Sequence, residues 1–367
     1  MVSLFRVLGA SVLFLPALAI AQINMPSGVT PVSHEIYDLH MMVFWIVVAI
    51  LAVVYGVVIY TLVNHRKSKG VVAATFSENT TVEIIWTIIP LLIITAILVP
   101  SIRVLIDMDD FDAAELTVKV TGHQWKWQYE YLEHGVGFFS NLSTPVAQMV
   151  GVDKKNEWYL LEVDKPLVLP TNRKVRFVLT SNDVIHSWWV PELGIKRDAV
   201  PGYVYEGWAR IEEPGTYRGQ CAELCGVGHG FMPVVVEAVD PQAFDVWIRK
   251  LASAVPSVAS DQGWTLPTAM ERGAVLYDQH CAVCHKIDGS GMPPTFPALT
   301  NSSIATSTDV NRHVDLVLHG VPHTAMQAYA PQFDNEELAA IITYERNAWG
   351  HNTGDLVLPS QIQAQRR

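Results

Sequence analysis

Cysteine is scarce in this chain: four residues in 367, all in two compact pairs, Cys221/Cys225 and Cys281/Cys284. So few thiols, so placed, argue against a disulfide framework and point to metal or cofactor chemistry. Net positive charge is also missing. Lys and Arg number 25 against 36 Asp and Glu, a formal balance of −11, which argues against a nucleic-acid partner, since that would favour a basic face. What is abundant is apolar residues, half of the chain, enough for a sizeable core in two or three domains. They cluster towards the N-terminus.

Residues 1–21 carry one basic residue, Arg6, then an apolar run ending Ala19-Ile20-Ala21, the small-x-small pattern of a signal-peptide cleavage site. A third membrane span is the alternative, weakened by the short run and Pro16. Residues 22–108 read as a membrane hairpin. The apolar runs 39–63 and 82–105 each exceed the roughly 30 Å hydrocarbon core at about 1.5 Å per residue, and Pro90 and Pro100 are tolerated in such helices. The loop between them holds Arg66, Lys67 and Lys69; the positive-inside rule puts it in the cytoplasm and everything after Asp107 outside. Glu83 has two readings, a capping box with Thr80 as N-cap or a proton-handling carboxylate near the membrane.

From residue 109 to 250 the texture is short β-type runs, 116–121, 175–179, 215–220 and 233–237, punctuated by Pro and Gly, as in an antiparallel sandwich or barrel. Trp125, Trp127, Tyr129 and Tyr131 alternate at period two and read chiefly as one core-facing aromatic strand face. Residues 251–266, small and polar, read as a linker. Residues 267–350 form a last domain and 351–367 a tail.

Two segments carry chemistry. Cys221-Ala-Glu-Leu-Cys225-Gly-Val-Gly-His229-Gly-Phe-Met232 packs two thiols, an imidazole and a thioether into twelve residues, a soft set suited to copper once His186 adds a second imidazole. A single blue-copper centre would need only His186, Cys225, His229 and Met232, leaving Cys221 surplus. Two thiolates bridging two coppers would use it, each metal completed by one His, with Met232 and the Glu223 carbonyl as weak ligands. A Cys221–Cys225 disulfide remains the third option in an exported domain. Both ligand sources are expected on loops held by strands. The second segment, Cys281-Ala-Val-Cys284-His285, is the attachment motif of a c-type haem, two thioethers and one axial imidazole. Met326 is the favoured second axial ligand, with Met292, His313, His319 and His323 as alternatives.

With these residues in view, the chain resembles subunit II of haem-copper cytochrome c oxidases, in the variety with a fused C-terminal cytochrome c domain. The resemblance rests on the copper loop and on Glu83-Ile-Ile-Trp-Thr-Ile-Ile-Pro90, Gly122-His-Gln-Trp-Lys-Trp127, Asp183-Val-Ile-His-Ser-Trp188 and Gly194-Ile-Lys-Arg-Asp-Ala-Val-Pro-Gly202. It implies a multi-domain fold: a two-helix transmembrane hairpin, an all-β cupredoxin domain and an all-α class I cytochrome c domain. It implies binuclear CuA on His186, Cys221, Glu223, Cys225, His229 and Met232; covalent haem c; Mg2+ shared with subunit I through the Glu223 side chain; electron entry at Trp125; and proton admission at Glu83. The implied partners are subunits I and III, cytochrome c or another donor, and a bacterial inner membrane with the soluble domains on its periplasmic face. One departure is Ala325-Met326-Gln327 where fused cytochromes often have Ala-Met-Pro.

The expected role is electron relay from donor to haem to copper to a catalytic subunit. Oxygen reduction belongs to another polypeptide, because an oxygen site needs several histidines inside membrane helices and these runs offer only His40. Two rivals stand: a membrane-anchored copper carrier, which would show thioredoxin-like βαβ patterning at its thiols, and a nitrous-oxide-reductase type of copper protein, which would need a large further domain.

Overall fold

The computed structural model describes residues 24–366 apart from 73, 76, 254–259 and 323. The signal-peptide reading, the middle of the linker and His323 lie outside the described residues.

The two apolar runs form α1 (Pro31–Asn64) and α2 (Thr80–Met108), each long and apolar enough to cross a membrane. Both are longer than 39–63 and 82–105, because polar first turns do not register as apolar runs. At α1, Thr30 caps the helix, its Oγ1 accepting from Ser33 N at 3.0 Å while Ser33 Oγ accepts from Thr30 N at 2.9 Å. The helix therefore includes His34 as well as His40. At α2 the N-cap is Asn79, not Thr80: its Oδ1 accepts from Val82 N at 3.2 Å, and Glu83 accepts from Asn79 N at 3.4 Å. The capping function of Glu83 survives, displaced by one residue.

Ten strands follow: β1 (Leu116–His123), β2 (Lys126–Tyr131), β3 (Val136–Ser140), β4 (Leu167–Pro170), β5 (Val175–Ser181), β6 (His186–Val190), β7 (Ile195–Ala199), β8 (Tyr205–Ala209), β9 (Gly215–Cys221) and β10 (Pro233–Val239). They make two five-stranded sheets, β3-β2-β1-β5-β8 and β4-β10-β9-β6-β7. The sandwich is mixed rather than antiparallel throughout, since β1 pairs β5 and β4 pairs β10 in parallel. Alternation along β1 and β5 turns Val118, Val120, Phe177 and Leu179 into a core that also takes Trp127, Tyr129 and Tyr131, all fully buried. Trp125 stands partly buried at the edge of this core. After a single helical turn in the β3–β4 connection, α3 (Val146–Met149), the helix α4 (Pro241–Ser253) closes the sandwich with Phe244 and Ile248. It runs into the stretch expected to be linker.

The hairpin is tied to the sandwich at both ends. Thr30 Oγ1 donates to Leu193 O at 3.0 Å, Trp208 Nε1 to Asp107 O at 2.9 Å, and Arg197 pairs with Asp109 at 2.8 Å.

The last domain comprises α5 (Leu266–His280), α6 (Ala282–His285), α7 (Val310–His319), α8 (Asn335–Asn347) and α9 (Pro359–Gln365). Residues 351–366 are not a free tail: Val357 and Ile362 are buried in the core with Val314, Leu318, Leu338 and Ile342. Short polar stretches hide two anchoring apolar residues from a compositional reading.

Burial also tunes His123, at the end of β1. Burial first, then the nearby Lys126 charge, depress its imidazole to about 4. Below pH ~6.5 the unfolded chain takes up a proton that the folded domain refuses, so this contribution is complete above ~6.5 and lost as pH falls to about 4, roughly 3 kcal/mol in all. Urea unfolding of His123→Gln between pH 7 and 4.5 should show a shallower loss than wild type; parallel profiles would refute this.

Candidate metal and haem sites

Strand register builds the first site. In the β6–β9 pair Trp188 faces Cys221, so His186, two residues earlier, stands beyond the end of β9, beside the stretch that follows Cys221. Ala222 N donating to Ser187 O at 2.9 Å holds that alignment. The expectation that both ligand sources sit on loops is corrected here. His186 opens a strand and Cys221 closes one, whereas Cys225 lies in the β9–β10 connection and His229 opens a 3-10 turn there.

The donor atoms converge around two free thiols. The Cys221 and Cys225 sulfurs are 3.8 Å apart, far beyond the ~2.05 Å of a disulfide bond. Cys221 Sγ is 3.9 Å from His186 Nδ1 and 3.3 Å from the Glu223 carbonyl; Cys225 Sγ is 3.6 Å from both His229 Nδ1 and Met232 Sδ. Each sulfur thus has its own imidazole and its own weak donor. The His186, Cys221 and Cys225 donor atoms lie within 4.8 Å of one another, and all three residues are buried. This set fits soft copper, and it leaves no thiol surplus.

Electrostatics prepare the same donors. The Cys225 thiol donates towards Cys221, and this with His186 holds the pair's first ionisation far below the ordinary thiol range, at about 3. The resulting thiolate pushes the second ionisation well above that range. Burial disfavours a charged His186, but the Asp183 carboxylate and Cys221 outweigh it and raise its pKa. His186 Nε2 donates to Asp183 Oδ1 at 2.8 Å, which turns the Nδ1 lone pair towards Cys221.

Asp183 and Gln124 escaped the sequence reading as functional residues. Gln124 N donates to Asp183 Oδ2 at 2.7 Å, and Gln124 Nε2 to Cys225 O at 2.8 Å. A carboxylate three residues before a ligand histidine was the available signal. Trp125 Nε1 donates to the same carbonyl at 3.1 Å, joining the indole directly to the backbone of a candidate ligand. Gly228 is required beneath it, since a Cβ there would lie 2.2 Å from the Trp125 ring.

In the second site one helical turn supplies the pattern. Cys281, Cys284 and His285 stand at i, i+3 and i+4, with His285 N donating to Cys281 O at 2.9 Å. After this turn the chain stays irregular up to α7. Burial pushes the Cys281 thiol well up and Cys284 to about 11. His285 Nδ1 donates to Pro297 O at 2.9 Å, leaving Nε2 free for iron. A cavity of about 560 Å³ lies beside this turn, against Ala282 and Val283, walled also by Trp125, Val146, Phe231 and Met292; Cys281, Cys284, His285 and Met326 do not line it.

Met326 packs against the domain core together with Cys281, while Met292 lines the cavity. His313 bonds Glu345 at 2.8 Å and His319 bonds Asp315 at 3.0 Å, each through one ring nitrogen. Glu83 is exposed on α2, remote from these donors in the fold, and the Glu223 side chain points outward into solvent while its carbonyl faces inward.

Comparison with known proteins agrees across the chain. The family described as cytochrome C oxidase subunit II, transmembrane domain, matches residues 19–104, and its periplasmic domain matches 116–239. Residues 268–344 match cytochrome C oxidase, cbb3-type, subunit III. A probable cytochrome c oxidase subunit 2 of Rickettsia bellii (strain RML369-C) is 40% identical over 227 residues, 62% of this chain and 83% of that one. Cytochrome c oxidase subunit 2 of Cereibacter sphaeroides is 35% identical over 244 residues, 63% of this chain and 80% of the other. The solved periplasmic domain of subunit II of cytochrome oxidase from Bradyrhizobium japonicum shares 37% identity, covering 38% of this chain and 94% of that one, with a TM-score of 0.34.

Proposed function

Because the chain belongs to the cytochrome c oxidase subunit II family and is a membrane-anchored electron-transfer subunit, we propose that His186, Cys221, Glu223, Cys225, His229 and Met232 hold two copper ions. Cys281, Cys284 and His285 attach haem c, with Met326 as the second axial ligand. Bound there, the haem and the copper pair supply one-electron carriers through which a donor's electrons reach the oxygen-reducing subunit. The observation that carries this reading is the pairing of donors, one imidazole and one weak ligand beside each of two sulfurs 3.8 Å apart.

The chain's own residues do the positioning. Asp183 orients His186, Gln124 and Trp125 fix the Cys225 carbonyl, and Trp125 presents an aromatic ring between the copper loop and the Ala282–Val283 turn, a position that suits an electron-entry group. The outward Glu223 carboxylate is available to a magnesium ion shared with subunit I, the catalytic subunit, and Glu83 to proton admission there. Subunit III and an external donor such as cytochrome c complete the proposed assembly. Arg66, Lys67 and Lys69 between the two helices support a cytoplasmic loop, with both soluble domains on the periplasmic face of a bacterial inner membrane. By domain, the reading is a hairpin to residue 108, a copper domain through α4 and a haem domain from α5 to the end of α9.

The copper-carrier reading is not favoured. Among the described residues the thiols adjoin no βαβ unit; β9 pairs antiparallel with β6 and β10.

Metal analysis of the full chain purified from membranes should give two coppers and one covalent haem per chain. One copper per chain would support the carrier instead.

A further inference from the structure

Gln124 carries a backbone donor, a side-chain donor and a backbone carbonyl, and the fold uses all three beside the copper loop. Its N–H holds the Asp183 carboxylate that orients His186, and its Nε2 holds the Cys225 carbonyl. One residue therefore braces both candidate ligands. The third group, Gln124 O, accepts at 2.9 Å from Nε2 of Gln327, 203 residues further on and in the haem domain. The acceptor is a carbonyl, so only the amide nitrogen of Gln327 can face it. Among the described residues this is the one hydrogen bond between the copper and haem domains.

Gln327 directly follows Met326, whose side chain packs with Cys281 against the haem-domain core. It is also the residue at which the chain departs from Ala-Met-Pro, and a proline, with no side-chain donor, could not make this bond. The neighbouring contacts between the domains are apolar and aromatic: the Trp125 and Phe296 rings are 5.9 Å apart, Val146 is buried with Tyr277 and Ala282, and the Lys126 amine lies 4.9 Å from the Tyr329 ring centroid. Apolar burial favours association without direction. A hydrogen bond to a single carbonyl supplies the direction.

We infer that Gln327 is the latch that sets the pose of the haem domain on the copper domain, pinning the Met326 segment to the residue that holds the Cys225 carbonyl and, through Asp183, His186. This rests on the copper and haem assignments proposed above. Gln327 is a positioning residue. The transfer it serves takes one electron from ferrous haem, which becomes ferric, to the oxidised copper pair, with no bond made and no proton moved.

Amine labelling of the full-length holoprotein, read by peptide mass spectrometry, tests the latch. Lys126 is 3% exposed and set against Tyr329 of the haem domain, so its labelling reports opening between the domains, while the part-exposed Lys119 on β1 is the internal reference. Gln327→Ala should raise the Lys126 rate about fivefold relative to Lys119, the equilibrium factor for one lost hydrogen bond. It should also slow reoxidation of flash-reduced haem by the copper pair several-fold, with haem content, copper content and haem midpoint unchanged. Gln327→Glu keeps the shape but cannot donate as a carboxylate, and should match Gln327→Ala. If Gln327→Ala does not load haem, Gln327→Pro reads the same quantities. Wild-type behaviour of Gln327→Glu, or unchanged Lys126 labelling or electron transfer in a loaded variant, overturns the inference alone. Absence of covalent haem or of two coppers from the wild-type chain overturns the assignments beneath it.

Discussion

Replacing Cys221 with Ser is expected to abolish the mixed-valence copper signal and cut copper from two per chain to one or none, while leaving the haem spectrum intact. Serine offers a hard oxygen that stays protonated where the thiol of this pair ionises readily, and copper selects soft thiolates. The loss reaches both metal positions because Cys221 is shared: its sulfur faces His186 and the Glu223 carbonyl on one side and the Cys225 sulfur on the other. The fold should survive, since a serine hydroxyl can still donate to the Glu223 carbonyl and a bonded buried hydroxyl avoids the ~1–3 kcal/mol desolvation cost. Haem is unaffected because Cys281, Cys284 and His285 belong to a separate helical turn. Electron paramagnetic resonance with copper analysis reads the outcome, and a surviving seven-line spectrum at two coppers per chain would defeat the binuclear assignment.

Arg346→Met should destabilise the haem domain by about 2–3 kcal/mol, less than the ~3–5 typical of breaking a wholly buried pair. The discount reflects Asp355, 39% exposed and able to rehydrate, whereas the Arg346 side chain is 1% exposed. Its guanidinium bonds Asp355 and the Ser307 carbonyl, which ties α8 to the returning C-terminal stretch and to the loop before α7. For a domain of this size the melting midpoint should fall by roughly 10–20 °C, read from near-ultraviolet circular dichroism or the haem band. A midpoint equal to wild type would show that Val357 and Ile362 hold the C-terminal stretch without the ion pair.

These two sites differ in how visible they were. In the candidate haem segment the spacing of Cys281, Cys284 and His285 was legible, because they lie on one helical turn whose geometry follows from that spacing; the second axial ligand was not. In the copper loop, the i, i+4 spacing of Cys221, Cys225 and His229 identified the soft donors, but whether they served one metal or two stayed open. Deciding between these needs the distances between sulfurs and their neighbours, which depend on the β6–β9 register. The same register brings His186 from 35 residues away.

Other features left no local trace. A lysine beside a tryptophan at a strand end reads as exposed, yet Lys126 is buried, its amine set against Phe139 of its own domain and Tyr329 of the next. Val146 and Met149 sit in an unpatterned connection yet line the cavity beside Ala282 and Val283. Residues 351–366 look like a tail until two apolar side chains find the core between α7 and α8.

By itself, then, the sequence determined the two apolar helices, the strand-rich middle, the Cys281–His285 turn and the inventory of candidate copper donors, since each is written in composition or short-range periodicity. Only the tertiary structure decided that each sulfur has its own imidazole and carbonyl or thioether, that Asp183 orients His186, and that the cavity beside Ala282 and Val283 is walled by both domains. Those depend on contacts between residues far apart in the chain, and such contacts are set by strand register and domain packing, which no local spacing encodes.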